Sequence, residues 1–339
     1  MMAEVLDLRQ FRPAQLESVL AAEAEEWLRE LHWDYRSSLD LIRQYIGARV
    51  LPGYVLAGGT PAQPRPQGYG FFVYEAQKGL IGDLFVHPAS RGGQQAEEQL
   101  LLRHMIETLQ GTPGLRRIEA QLMPYRPAQL AASFTQRDFR AFRRLFLHLD
   151  LRATPPAGGG DGAARPPLVI ESWHSGLTEA TAALVQRAYE GHIDSLINDQ
   201  YRTLAGSLRF LHNVVHYPGC GDFDPGASGL VLGPSGGVDA MLLASRVQAD
   251  VAHITQVCVA PAARNRGLAR RLFRHALDNL RRRGFRAVTL TVTAGNAPAL
   301  ALYQQLGFVT LREFDAYVWE PSPGADGYEA RSPGPRSHN

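Results

Sequence analysis

Lysine is all but missing from this sequence: of 35 basic residues only Lys78 is not arginine. Usage skewed this far reflects a GC-rich coding bias more than a function, so arginine content alone does not argue for a polyanionic partner. Cysteine is scarce as well, and two residues, Cys220 and Cys258, cannot build a disulfide framework for 339 residues. No apolar run approaches the ~18 residues that a membrane span needs. The start, Met1-Met2-Ala3-Glu4, lacks the basic and apolar regions of a signal peptide. An excess of one charge is lacking too, since 35 cationic against 33 anionic side chains leave a net +2. That is too little for a global field favouring nucleic acid or an acidic membrane. These absences predict a cytoplasmic protein with no membrane or nucleic-acid partner.

What is present is ordinary globular material. Hydrophobic residues make up 45% and charged residues 20%, which excludes a mainly disordered or fibrous chain. At about 150 residues per domain the length leaves room for two. The boundary falls at 153–167, where Pro and Gly displace every large apolar side chain. A second Pro/Gly/Ser-rich stretch, 321–339, reads as a disordered tail. Two bodies remain, 1–152 and 168–320.

In the second body, Leu168–Trp173 reads as a strand and Thr178–Glu190 as a helix with Thr178 as N-cap. Leu230–Leu232 and Ala240–Ala244 flank Gly233-Pro-Ser-Gly-Gly237 and read as antiparallel strands joined by a turn. A strand over Ala252–Val259 runs through Pro261 into a helix with Leu268, Leu272, Ala276 and Leu280 at fourfold spacing and Gly284 as its stop. A strand Ala287–Val292, a helix Pro298–Leu306 and a closing apolar stretch from Phe308 to Trp319 follow. This is a mixed α/β pattern.

Chemistry concentrates where the strand ends and the helix begins, at Val257-Cys-Val-Ala-Pro-Ala-Ala-Arg-Asn-Arg-Gly-Leu-Ala269. First-turn amides of a helix have no internal partners and, with the helix dipole, form an anion site. Gly267 and Ala269 allow close approach to those amides, and Arg264 and Arg266 add countercharge. A second segment follows, Thr293-Ala-Gly-Asn-Ala-Pro-Ala-Leu-Ala-Leu-Tyr-Gln-Gln-Leu-Gly-Phe308. In this order and spacing the two segments resemble the acetyl-CoA signature of the GNAT superfamily of N-acetyltransferases.

That resemblance implies a sheet in which two parallel strands splay apart and the pantetheine arm of acetyl-CoA lies between them, bonded to the backbone of Val257, Cys258 and Val259. It places the pyrophosphate on the loop Arg264, Asn265, Arg266, Gly267, Leu268, Ala269 and Arg270, Asn296 beside the cofactor arm, and Tyr303 near the thioester sulfur. A phenol with a reference pKa near 10 is protonated at neutral pH and can protonate the departing thiolate. A lysine-like acceptor amine, reference pKa near 10.4, must first lose a proton. His253 stands where some aralkylamine acetyltransferases carry a catalytic histidine, and Glu190, His192 and Asp194 are competing bases. Cys258, inside an apolar strand, reads as a small hydrophobe rather than a nucleophile. His212 and His216 share a helix face with Cys220 four residues on, yet no fourth ligand has clear spacing, so they are expected to line an acceptor pocket and no metal is expected.

The first body repeats this design about 170 residues earlier. Leu84–Arg91 parallels Val257–Arg264, which sets Gln94 opposite Gly267, with Gly92 and Gly93 able to shift the register. Ala131–Phe139 parallels Leu300–Phe308, which sets Phe134 opposite Tyr303. The expectation is therefore two tandem GNAT-like domains, each a mixed, partly antiparallel sheet flanked by helices. The first is degenerate, and the second transfers acetyl from acetyl-CoA directly to a small amine or a protein amine. A non-catalytic acyl-CoA sensor or scaffold is the alternative.

Overall fold

The computed structural model describes residues 4–60, 63–91, 96–153, 168–234 and 236–321. Most of the linker and the tail beyond Pro321 lie outside the described residues, as do Gly92, Gly93 and Gln94.

The first half runs β1 (Glu4–Asp7), α1 (Pro13–Leu31), α2 (Arg36–Gly47), β2 (Gly53–Thr60), β3 (Gln63–Glu75), β4 (Lys78–Val86), α3 (Ala96–Gln110), β5 (Arg117–Gln121), α4 (Pro127–Thr135) and β6 (Arg140–Asp150). The second runs β7 (Glu171–Ser172), α5 (Thr178–Tyr189), α6 (Asp194–Ile197), α7 (Leu204–His216), β8 (Asp222–Phe223), β9 (Gly229–Leu232), β10 (Val238–Gln248), β11 (Val251–Val259), α8 (Leu268–Arg282), β12 (Ala287–Thr293), α9 (Ala297–Gln305) and β13 (Val309–Trp319). The sequence expectations match these elements closely in the second half. The first strand there shrinks to Glu171–Ser172, and the residue before α5 is Leu177. Thr178 is instead inside that helix, with its hydroxyl donating to the Ser175 carbonyl.

The mixed sheets of the two halves join edge to edge. Among the described residues there is one sheet of thirteen strands, in the order β1-β2-β3-β4-β5-β13-β6-β12-β11-β10-β9-β7, with β8 beside β10. Each half lays its last strand against the other. β13 pairs with β5, β6 pairs with β12, and β6 and β13 pair with each other, all antiparallel. The strand pairs β4/β5 and β11/β12 are parallel. The helices pack on this sheet through apolar faces. In α8, Leu268, Leu272, Ala276 and Leu280 are buried while the arginines lie on other faces. Each such leucine contributes roughly 1.5–3 kcal/mol. Gly284, at φ +82°, ends the helix as its spacing predicts, and Phe285 N–H closes back on the Leu280 carbonyl.

Candidate active site

The parallel ladder between β11 and β12 stops at Ile254 opposite Leu290. On its other edge β11 carries a bulge at the next residue, because Gln256 pairs with Leu243 and Ile254 with Ala244, leaving Thr255 over. A bulge bends its strand, and from Thr255 to Val259 the backbone edge of β11 facing β12 has no strand partner. A cavity of about 670 Å³ opens at this splay. Val257, Cys258, Val259, Arg264, Asn265, Ala269, Asn296, His253 and Tyr303 all line it, so the structure brings these sequence-selected residues together. Arg266, Gly267, Leu268 and Arg270 lie outside that lining, in the loop and first turn behind it.

Gly267 precedes α8 with φ +74°, a left-handed conformation that side chains resist. Arg264 donates to the Ala188 carbonyl at 2.9 Å and so ties the loop to α5. Arg270 is bonded to Gln305, joining α8 to α9. Asn296 caps α9 with its side-chain oxygen accepting from Ala299 N–H. Pro298 sits in the first turn of that helix, where a missing N–H costs nothing. Together they fix the face of α9 that carries Tyr303.

Burial, and after it the Asp194 carboxylate, push the Tyr303 phenol above its usual pKa against an opposing pull from Arg144. The phenol therefore stays protonated at neutral pH. Burial likewise pushes the Cys258 thiol up, which agrees with a hydrophobe and not a nucleophile. His253 is different from the expected base. It is buried among Trp33 and Phe146, its Nδ1 is 2.9 Å from Thr289 Oγ1, and burial, then Arg144, lowers its pKa to about 3. Burial therefore keeps this imidazole neutral across the physiological range.

His192 and Asp194 line the cavity, whereas Glu190 does not. His212 and His216 do not line it either: their rings stand 4.6 Å apart on the exposed face of α7, and that helix sends Phe210 inward. Cys220 does reach the cavity. No group of three or more His, Cys, Asp or Glu suited to a metal occurs among the described residues.

Four lining residues come from the first half: Trp33, Gln121, Met123 and Arg144. Sequence reasoning missed them because they enter through the exchange of terminal strands, which no local pattern reveals. Arg144, on β6, donates through Nη1 to Asp194 Oδ1 at 3.2 Å and to Thr293 Oγ1 at 3.0 Å.

The first half repeats the splay. Its parallel ladder stops at Ile81 opposite Ala120 with a bulge at Gly82. Arg91, the counterpart of Arg264, is claimed by Glu26 at 3.0 Å and by the buried Glu98 at 3.2 Å. Tyr317 from β13 stacks on Phe134 with centroids 3.9 Å apart.

Residues 220–308 match the model of the acetyltransferase (GNAT) family, and the chain carries a GNAT domain there. Its fold is that of tandem GNAT proteins. Over 64 residues it is 41% identical to the ribosomal protein bS18-alanine N-acetyltransferase of Escherichia coli K12, a match covering 19% of this chain and 43% of that protein. Over 271 residues it is 29% identical to mycothiol acetyltransferase of Thermomonospora curvata, covering 79% of this chain and 80% of that protein. Among solved structures, a tandem GNAT protein from the clavulanic acid biosynthesis pathway superposes with a TM-score of 0.58 at 17% identity, over 95% of this chain and 99% of the other.

Proposed function

We propose that the chain is an acetyl-CoA-dependent N-acetyltransferase with one active site, in the second half, which transfers acetyl directly to the amine of a small molecule or a protein. The observation that carries this reading is the meeting, in one cavity, of the unpaired β11 edge, the loop before α8 and Tyr303. Acetyl-CoA supplies the activated acetyl group as a thioester. Val257 to Val259 present backbone groups to its extended arm as a strand would, and the loop Arg264 to Arg270 offers amides and arginines to its pyrophosphate. Tyr303 holds the proton that the sulfur needs on leaving.

The first half takes no acetyl-CoA in this reading. Where Arg270 and Arg271 open α8, Glu97 and Glu98 open α3, and Arg91 is already neutralised. A pyrophosphate there meets carboxylates. Calorimetry with acetyl-CoA, followed by mass-spectrometric screening of an amine and peptide library, tests the whole reading. One site per chain and an acetylated amine are the expected results. Two equal sites, or binding with hydrolysis but no acceptor, overturn it; the second result favours an acyl-CoA sensor.

A further inference from the structure

We propose that Asp194 is the base of this transfer, its carboxylate receiving the proton that the acceptor ammonium must lose, and that Arg144 of the first half positions it. The inference rests on the reading of the site as an amine acetyltransferase.

Among the described residues lining the cavity, Asp194 is the one carboxylate. Its side chain is 13% exposed, buried enough to escape bulk screening while still bordering the cavity. Thr293 Oγ1 and Arg144 Nη1 both donate to Oδ1, which leaves Oδ2 as the free face, 3.6 Å from His192 Nδ1. The charged and titratable groups around it are Arg144 on β6, His192 before α6, Tyr189 at the end of α5, Tyr201 before α7 and Tyr303 on α9; the three phenols all feel its charge. The carboxylate thus sits within electrostatic reach of the proton donor.

The competing histidines are held less freely. His253 is packed between the rings of Trp33 and Phe146 with Nδ1 on Thr289 Oγ1, whose own hydrogen goes to the Ala252 carbonyl, so Nε2 alone keeps a lone pair. His192 Nδ1 accepts the Asp194 backbone N–H at 3.1 Å. A neutral imidazole with its Nδ1 lone pair so used carries its proton on Nε2 and has no lone pair left for an amine.

The protons balance. The acceptor R–NH3+ gives one to Asp194, and the freed nitrogen lone pair forms the N–C bond to the acetyl carbon as the C–S bond breaks. Tyr303 protonates the leaving sulfur and regains a proton from the nitrogen, which becomes the amide with one hydrogen. Asp194 returns its proton to solvent.

The test uses the full chain and initial acetylation rates of tyramine, cysteamine and an alanyl hexapeptide between pH 6 and 9.5, with acetyl-CoA affinity as the control for folding. Asp194→Asn keeps an oxygen for Thr293 and Arg144. It is expected to bind acetyl-CoA as the wild type does and to lose about 10²–10⁴ in kcat at neutral pH. Its rate should then climb about tenfold per pH unit, following the free-amine fraction of the probe, whereas the wild type levels off. Asp194→Glu should retain the wild-type profile at reduced rate. Arg144→Met should lower kcat while acetyl-CoA affinity holds, because the carboxylate loses the donor that fixes Oδ1, and Arg144→Lys should restore part of the rate. A uniform loss at every pH in Asp194→Asn, or an undiminished kcat in Arg144→Met, overturns the assignment and leaves the acetyltransferase reading standing. A wild type that acetylates no probe overturns both.

Discussion

Phe134 and Tyr303 hold the same place in the two halves. Each accepts, through its carbonyl, a backbone hydrogen bond from the phenylalanine five residues on: Phe139 N–H at 3.2 Å in the first half and Phe308 N–H at 3.0 Å in the second. The two rings differ by one hydroxyl, and their surroundings differ more. Tyr317 lies flat on Phe134, while Tyr303 borders the cavity. The first half thus carries no phenol at this place, and a ring from β13 covers the one it has.

Tyr303→Phe isolates that hydroxyl. The ring stays packed against Phe273 and Phe308, so acetyl-CoA affinity should hardly change. Removing a positioned general acid lowers kcat by about 10²–10⁴, or about 3–5 kcal/mol of barrier. Side-by-side kcat and calorimetry on the mutant check this, and an unimpaired kcat would transfer the donor role to water. The reverse change, Phe134→Tyr, should create no second activity, since Arg91 is still paired with Glu26 and Tyr317 still lies on the ring.

The loop before α8 was legible from its residues, and so was the helix that follows. Gly267 shows why: a local requirement for a left-handed residue at a helix start can be written in one glycine. Strand pairing between distant segments has no such local code. Nothing in Arg140–Asp150 announces that it will lie beside Ala287–Thr293, and so Arg144, Trp33, Gln121 and Met123 escaped notice. The surroundings of His253 were illegible for the same reason, since two of the rings that pack on it, Trp33 and Phe146, belong to the first half.

Gly267→Glu should abolish acetyl-CoA binding while leaving the fold intact. A side chain at φ +74° costs about 1 kcal/mol of backbone strain, well below the stability of an ordinary domain. The new carboxylate would add bulk and negative charge beside the amides proposed for the pyrophosphate. Calorimetry together with thermal melting separates the two effects, and undiminished affinity would move the phosphate site elsewhere.

The first half contains a pH-sensitive pair. Glu23 and Asp83 are fully buried beside each other, with Tyr69 donating to Glu23 at 2.6 Å and Tyr35 to Asp83 at 2.9 Å. Burial, then Asp83, raises the Glu23 pKa well above its usual value. A carboxyl whose folded pKa is raised favours the protonated, folded state. Its contribution is complete below the unfolded pKa of about 4.3 and is lost as pH climbs through the folded value. Wild-type Tm should therefore fall from pH 5 towards pH 8, and Glu23→Gln, which still accepts from Tyr69, should flatten that slope. Parallel slopes for the two proteins would place the titration elsewhere.

The exchanged strands make a sharper claim about the halves themselves. A chain cut to 168–320 loses β6, and with it the whole antiparallel ladder from Ala287–Asp150 to Thr293–Arg144. β12 then becomes a bare, apolar edge, which is an aggregation hazard. The fragment also loses Arg144 from the cavity and the buried anchor of the 194–203 segment. There Lys78 meets Asp199 at 2.5 Å, and Arg117 donates to the Leu196 carbonyl at 2.6 Å. Expressed alone, 168–320 should be insoluble or bind acetyl-CoA poorly. Co-expressed with 1–153 it should assemble, because the exchange needs no covalent link, and recover binding. Soluble yield and calorimetry on the separate and combined fragments measure this. A stable 168–320 fragment with full affinity would mean that the second half closes its sheet without β6, and that the exchange does not maintain the cofactor cleft.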